Sequence, residues 1–242
     1  APALRQIESH DRIKIGLFAV NTNDGEQLGY RNHQRFPLCS TAKLMVVAAI
    51  LKKSQSRPSL LQQHIAYTQH DVTSAGYAPI TQQHLLHGMR VDQLCAAALS
   101  VSDNAASNLL VRLLGGPKQV TAFSRSLGDR TFRLDRYEPR LNTAIPGDLR
   151  DTASPQSMVD LLQQLMLGPV LQYRQRHLLM SWLQHNTTGA RRIRAGTPVG
   201  WLVGDKTGTG EYGTTNDVAV IWPPHRKPIV IAIYLTQSNK TA

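Results

Sequence analysis

The 242-residue sequence predicts a fold of the α/β (α+β) class: an antiparallel sheet built from both chain ends and flanked by helices, with an all-helical domain inserted between those ends. Two observations predict it. Strand-like segments stand near both termini, and the middle of the chain carries a series of helical segments. Because clefts form preferentially where two domains meet, we expect the active site at the seam between sheet and helices.

The first third of the chain changes pattern at Ser40. Residues 3–10 predict a short helix, and residues 14–19 and 27–30 predict a hairpin around the turn signal at 21–25. Residues 41–53 are apolar nearly all round, which is typical of a helix buried on every side. Further helices are expected at residues 82–87, 92–99, 105–114, 118–127, 155–165 and 170–182.

A long segment without periodicity, residues 128–154 (Gly128 to Ser154), is dense in charge, proline and glycine. Loops of that length are usually kept for function, so we expect an active-site loop. After residue 196 the pattern indicates strands at 202–209, 217–222 and 229–236, the last two joined as a hairpin. The predicted domains are therefore a sheet domain, residues 1–38 and 190–242, and a helical domain, residues 39–189.

The charge balance, 27 basic against 16 acidic side chains, gives a net charge of +11. Nucleic acid is not an expected partner, because the basic residues are scattered, apart from Arg191, Arg192 and Arg194, and no nucleic-acid-binding motif accompanies them. The charge would attract anionic substrates. No membrane span is expected, since the longest apolar runs, 44–51 and 229–235, fall short of roughly 20 residues.

Neither cysteine nor histidine spacing indicates a metal site. Cys39 and Cys95 lack metal-binding spacing, and we interpret them as two buried thiols. His84 and His87 lie one helical turn apart with no acidic or cysteine ligand near them, which favours a solvated helix face. We expect neither a metal nor a cofactor.

A Ser-x-x-Lys pattern, Ser40 and Lys43, begins the buried helix. Three residues along a helix place both side chains on one face. A lysine ammonium buried there needs hydrogen-bond partners or a lowered pKa. In the alternative, the aliphatic part of the side chain is buried and the ammonium reaches solvent. Near a helix N-terminus, Ser40 would also have free backbone N–H groups beside it, which suit an oxyanion.

Three more motifs follow in order: Ser102-Asp103-Asn104, then Glu138-Pro139-Arg140-Leu141-Asn142, then Lys206-Thr207-Gly208. Each has an ordinary alternative: a helix cap, a loop carboxylate paired with arginine, and an exposed strand, respectively. Their joint chance occurrence is on the order of one in ten thousand or less at average composition. The combination therefore favours a shared site.

Together these motifs resemble the active site of the serine β-lactamases and penicillin-binding proteins, and the glutamate motif inside a long loop resembles class A. The resemblance runs from residue 14 to residue 236 and implies a small-molecule β-lactam substrate. It makes Ser40 the nucleophile and Lys43 its neighbour in the proton relay. It implies that Ser102 passes a proton to the departing nitrogen, and that Glu138 is the general base on a water that Asn142 also holds.

The resemblance also implies the binding residues. Lys206, Thr207 and Thr209 would bind the substrate carboxylate, Asn104 the amide of its side chain, and the backbone N–H groups of Ser40 and Thr209 would form the oxyanion hole. Two further implied contacts are Tyr77, an aromatic at the cleft mouth, and Arg192, a guanidinium directed at the same carboxylate. From the properties of glycine itself, we expect Gly208 to let substrate lie against the backbone of the strand and Gly210 to keep that edge open.

Outside the substrate contacts, the resemblance implies an Arg136–Asp151 pair joining the ends of the loop and a cis Glu138-Pro139 bond. It implies two free thiols, because Gly210 and Val47 stand where the usual disulfide partners would be. We expect a monomer, periplasmic or secreted with its signal peptide removed. The family's C-terminal helix has no counterpart before Ala242.

Three hypotheses remain beside plain penicillin hydrolysis. Thr209, Gly210, Thr215 and Arg192 resemble the subgroups active on cephalosporins. A penicillin sensor or transpeptidase would share the serine and lysine motifs but lack the glutamate motif that clears the acyl-enzyme, and a nucleic-acid-binding protein is the rival from another class.

Overall fold

Strands from both ends of the chain form one five-stranded antiparallel sheet, as the sequence predicted. The computed structural model describes residues 2–238. The helices are α1 (Pro2–Asp11), α2 (Ala42–Ser56), α3 (Gln69–Ala75), α4 (Val91–Ser100), α5 (Asn104–Leu114), α6 (Pro117–Ser126), α7 (Pro155–Met166) and α8 (Tyr173–Gln184). The strands are β1 (Lys14–Asn21), β2 (Gln27–Tyr30), β3 (Phe36–Pro37), β4 (His64–Ile65), β5 (Met89–Arg90), β6 (Thr152–Ala153), β7 (Leu202–Gly210), β8 (Thr214–Trp222) and β9 (Ile229–Thr236).

The sheet has the order β2-β1-β9-β8-β7, so the last strand lies at its centre and pairs with the first. Alternate residues of β9, Val230, Ala232 and Tyr234, are fully buried and belong to the main hydrophobic core. That period of two is the pattern of a strand with one face against the core. The edge strand β7 is left beside the helical part of the chain.

Helix α2 is enclosed on all sides, which confirms the prediction from its apolar sequence. Every residue from Ala42 to Leu51 is buried. The same core cluster joins α2 to the inner face of the sheet. The division into two domains, with boundaries after residues 38 and 189, remains our proposal, and residues 239–242 of the proposed sheet domain lie outside the described residues, as does the end of the chain at Ala242.

One local prediction was wrong, and one helix was not predicted. Residues 82–87 do not form an α-helix; a 3-10 turn at Thr81–His84 stands there, because Asp103 accepts hydrogen bonds from the backbone N–H groups of Ile80 and Thr81 and fixes the chain at that point. The sequence analysis missed α3, although a capping box between Thr68 and Asp71 begins it.

Residues 128–154 form the predicted long loop, with one 3-10 turn at Arg140–Thr143 and the short strand β6 near its end. Strand β6 pairs with β3, just before Ser40. The loop thereby lies over the start of α2. No helix within residues 2–238 is both long and apolar enough to cross a bilayer.

Candidate active site

A cleft of about 300 Å³ lies where β7, the start of α2, the start of α5 and the long loop meet. Its lining contains nine residues that the sequence analysis singled out and one that it missed, Thr188: Ser40, Tyr77, Ser102, Asn104, Asn142, Thr188, Arg192, Thr207, Gly208 and Thr209. Lys43, Glu138 and Lys206 are buried and contact this lining. The four motifs therefore converge on one site.

Ser40 lies in a 3-10 turn, Cys39–Thr41, that leads directly into α2. Its Oγ is 3.1 Å from Glu138 Oε1 and accepts a hydrogen bond from Lys43 Nζ at 3.0 Å. The residue is 9% exposed, so it borders the cleft from a mostly buried position. The Glu138 carboxylate can accept the hydroxyl proton directly, and Lys43 can accept it only after its ammonium has released a proton.

The Lys43 ammonium is buried and surrounded by oxygen atoms. The alternative, in which only the aliphatic part of the side chain is buried and the ammonium reaches solvent, is therefore wrong. Nζ donates to the Ser102 carbonyl oxygen at 2.7 Å and to Asn104 Oδ1, and lies 3.1 Å from Glu138 Oε1. Burial lowers the pKa of Lys43, and the nearby Glu138 carboxylate opposes that shift. The site holds the charge only because these partners replace water.

A second buried ammonium approaches from the sheet. Lys206 Nζ donates to Ser102 Oγ at 3.0 Å and to the Thr207 carbonyl oxygen at 2.9 Å. Burial, together with the charge of Lys43, lowers the pKa of Lys206 to about 7. Because Lys43 Nζ also lies 3.2 Å from Ser102 Oγ, that hydroxyl stands between two ammonium groups.

Glu138 is held through its side chain and its backbone. Asn142 Nδ2 donates to Oε2. Asn108 Oδ1 accepts from the Glu138 backbone N–H, and Asn108 Nδ2 donates to the Glu138 carbonyl oxygen, each at 2.9 Å. The Glu138-Pro139 bond is cis, as the resemblance implied. The sequence analysis missed Asn108; its one signal was its place one turn after Asn104 on α5.

The predicted pair at the ends of the long loop is present. Arg136 Nε donates to Asp151 Oδ2, and Asp151 Oδ1 accepts from the backbone N–H groups of Asp135 at 2.7 Å and Arg136 at 2.9 Å. Asp151 is fully buried. Because the Asp151 carboxylate joins the two ends of the long loop, it holds Glu138 in position at the cleft.

At the edge of β7, Arg192 reaches the cleft from the segment before the strand. Its Nη2 donates to Thr209 Oγ1 at 2.7 Å and its Nη1 to the Gly208 carbonyl oxygen at 2.8 Å. Thr188 Oγ1 shares a hydrogen bond with Thr207 Oγ1. The cation and the three threonine hydroxyls thus lie on one wall.

The reason given above for the two glycines was wrong. A Cβ on Gly208 would lie 2.8 Å from the Leu38 carbonyl oxygen, and one on Gly210 would lie 2.6 Å from the Asn142 carbonyl oxygen. A side chain at either position would therefore point into the protein, while the backbone of Gly208 still borders the cleft. The two glycines let β7 approach the Ser40 turn and the long loop closely.

Two buried carboxylates support the Arg192 segment. Asp217 Oδ2 accepts from the Ile193 backbone N–H at 3.1 Å. Burial and the neighbouring Asp205 carboxylate raise the pKa of Asp217 to about 8. Asp205 is itself paired with Arg194. The position of Arg192 beside β7 therefore depends on the hydrogen bond between Asp217 and Ile193 and on the ion pair between Asp205 and Arg194.

Both cysteines, Cys39 and Cys95, are free and buried, as predicted. Burial raises the pKa of each thiol well above its usual range, so neither forms a thiolate near neutral pH. Residues 2–238 contain no group of three or more histidine, cysteine, aspartate or glutamate side chains arranged to hold a metal ion.

Comparisons with known proteins agree with this geometry. The family model described as "Beta-lactamase enzyme family" matches residues 1–242. Beta-lactamase OXY-2 of Klebsiella oxytoca is 49% identical over 239 residues, which cover 99% of this chain and 82% of that protein. Beta-lactamase Toho-1 of Escherichia coli is 50% identical, with 99% and 81% covered.

Solved structures show the same relationship. An ancestral class A β-lactamase has a TM-score of 0.96 and 47% identity, covering all of this chain and 92% of its own. The β-lactamase from Desulfarculus baarsii has a TM-score of 0.96 and 51% identity, covering all of this chain and 89% of its own. The chain therefore belongs to the β-lactamase enzyme family, and within that family to class A.

Proposed function

We propose that this enzyme hydrolyses β-lactam antibiotics through an acyl-enzyme on Ser40 that a water activated by Glu138 then clears. One observation carries the proposal: the Ser40 hydroxyl lies within 3.1 Å of both Lys43 Nζ and Glu138 Oε1. A serine needs a base in order to attack, and an ester needs a base in order to be hydrolysed. Both requirements are supplied around one oxygen atom.

In the first step, Ser40 Oγ attacks the lactam carbonyl, and its proton passes to the Glu138 carboxylate, or to Lys43 after that ammonium has given a proton to Glu138. The C–N bond of the ring breaks, and the departing nitrogen takes a proton from Ser102. Lys206 and Lys43, within 3.2 Å of Ser102 Oγ, stabilise the negative charge on that oxygen and can return its proton. The geometry supports either Lys43 or Glu138 as the acylation base.

In the second step, a water held by Glu138 and Asn142 attacks the ester carbonyl while Glu138 takes its proton. The Ser40 ester bond breaks, and a proton from Glu138, directly or through Lys43, returns to Ser40 Oγ and regenerates the serine. The hydrogen bond from Asn142 to Oε2 supports this assignment, because it leaves Oε1 directed at Ser40. Two separately placed bases produce turnover instead of the long-lived adduct of a penicillin sensor.

We assign substrate binding to the walls of the cleft. Lys206, Thr207 and Thr209 bind the carboxylate of the substrate, assisted by Arg192. The backbone N–H groups of Ser40 and Thr209 stabilise the oxyanion. Asn104 binds the amide of the substrate's side chain. Tyr77, which is 55% exposed, contacts substrate at the mouth of the cleft, and Gly208 contacts it from β7.

The test compares turnover of a chromogenic cephalosporin by the wild type, Ser40→Ala and Glu138→Ala. We expect steady hydrolysis, no reaction, and one burst followed by a stalled acyl-enzyme detectable by mass spectrometry. Arg140→Gln is the control, because this exposed side chain lies in the same loop. Steady turnover by Glu138→Ala would refute the assignment of the deacylation base.

We further propose activity on both penicillins and cephalosporins. The observation that supports it is the hydrogen bond from Arg192 Nη2 to Thr209 Oγ1, which places a guanidinium beside the proposed carboxylate site. Comparable kcat/KM values for a penicillin and an oxyimino-cephalosporin are expected; activity confined to penicillins would exclude it. The monomeric state and the location in the periplasm or outside the cell remain predictions.

A further inference from the structure

A second cavity, of about 230 Å³, lies between α7, α8 and the end of β8. Its lining is mainly apolar and aromatic, with one arginine: Met166, Tyr173, Arg176, His177, Met180 and Trp222. It is separate from the catalytic cleft. Trp222 pairs with Leu202, and Lys206 lies four residues further along β7, a distance of about 13 Å.

Arg176 is the charged group of this cavity, and the protein leaves most of its hydrogen-bonding capacity unused. Within residues 2–238, its guanidinium donates one hydrogen bond, from Nη2 to the Leu171 carbonyl oxygen at 3.2 Å. Its Nε is buried without an acceptor. No carboxylate among those residues forms an ion pair with it, whereas a guanidinium has five N–H donors arranged to suit a bidentate anion.

The rest of the lining fits a flat apolar group. The Trp222 ring is fixed against the backbone of β7, since a Cβ on Gly204 would lie 3.3 Å from it. Tyr173 is 80% exposed at the rim and lies against His177, with ring centroids 6.0 Å apart. Met166 and Met180 supply polarizable thioethers, which contact aromatic rings favourably.

We infer that this cavity binds a small organic anion with an aromatic body, whose carboxylate or sulfonate pairs with Arg176 and whose ring lies against Trp222. Arg176 binds the anionic group of such a ligand, and the aromatic and methionine side chains contact its ring. The net charge of +11 adds a general attraction for anions, so the test separates that attraction from the specific contact.

The experiment titrates 2-naphthalenesulfonate, and its uncharged counterpart naphthalene-2-sulfonamide, into the intact protein by calorimetry. We expect saturable one-to-one binding of the sulfonate, weakened about tenfold or more in Arg176→Gln and for the sulfonamide, because a charge-assisted pair is lost. Arg174→Gln is the matched control, an exposed arginine on the same helix outside the lining. It is expected to bind as the wild type does.

Three outcomes would overturn the inference. Equal weakening in Arg174→Gln and Arg176→Gln would indicate general surface attraction, and equal affinity for both probes would indicate an apolar cavity without anion recognition. Competitive inhibition of cephalosporin hydrolysis by the sulfonate would place it in the catalytic cleft. If Arg176→Gln does not fold, Arg176→Lys keeps the charge and is expected to retain the preference for sulfonate over sulfonamide; its loss would also contradict the inference.

Discussion

The Lys43 ammonium and the Glu138 carboxylate lie 3.1 Å apart, and each of these side chains is 1% exposed. Two charges taken out of water at that depth need good geometry and further hydrogen bonds. Ser102 and Asn104 supply them to Lys43, and Asn142 and Asn108 fix Glu138. The pair is therefore held ready on either side of the Ser40 hydroxyl, and its supports can be tested.

Asn108→Ala is expected to slow hydrolysis by about tenfold or more, because two hydrogen bonds that position the Glu138 backbone are lost and small misplacements of a catalytic group reduce rates strongly. The rate of deacylation should fall more than the rate of acylation, so a burst of product should appear in rapid-mixing experiments. Arg112→Gln, partly exposed on the same helix, is the control. An unchanged kcat without a burst would contradict this role.

The kcat/KM for a carboxylate-bearing β-lactam is expected to fall as pH rises through about 7. Lys206 has its pKa lowered to about 7 by burial, so it is charged below that pH and neutral above it, when its attraction for the substrate carboxylate is lost. The measurement is a pH profile from 5.5 to 9, a range of about two units either side of that pKa. Lys206→Arg stays charged over this range, so its kcat/KM should not fall near pH 7. A wild-type kcat/KM that stays constant through pH 7 would show that the charge of Lys206 does not bind the substrate carboxylate.

Asp217→Asn is expected to become more stable relative to the wild type as pH rises. The folded-state pKa of Asp217 is raised to about 8, so the native state binds a proton that the unfolded chain has released above its ordinary value near 4. Wild-type stability therefore falls between those values, and Asn has no proton to lose. Urea unfolding at pH 5 and pH 8.5, two conditions within and above that window, measures the difference. A constant difference would refute the raised pKa.

Asp151→Asn is expected to reduce the free energy of unfolding by about 3 kcal/mol, because it breaks the buried ion pair with Arg136, whose other carboxylate, Asp148, is 3.7 Å away. Denaturant unfolding measures it. Arg150→Gln is the comparison, since its pair with Asp148 is at the surface and contributes little. Equal effects of the two substitutions would show that burial of Asp151 does not matter.

The sequence by itself determined the strands at both ends, the buried helix α2 and the four motifs, because periodicity and short-range spacing are local properties of the chain. Even α3, which was missed, carried a local signal in its capping box. The cluster of motifs also predicted one shared cleft. Nothing local indicated Thr188, whose hydroxyl bonds to Thr207 on a strand 19 residues away.

Only the tertiary structure decided how the charges are compensated. It buries Lys43 and Lys206 together, which lowers the pKa of both, and it sets Asn108 against the backbone of Glu138. It also brings the Leu38 carbonyl oxygen to where a side chain at Gly208 would lie. Desolvation and close contact depend on which atoms meet in space, so residues far apart along the chain acquire these properties only when the sheet closes on α2.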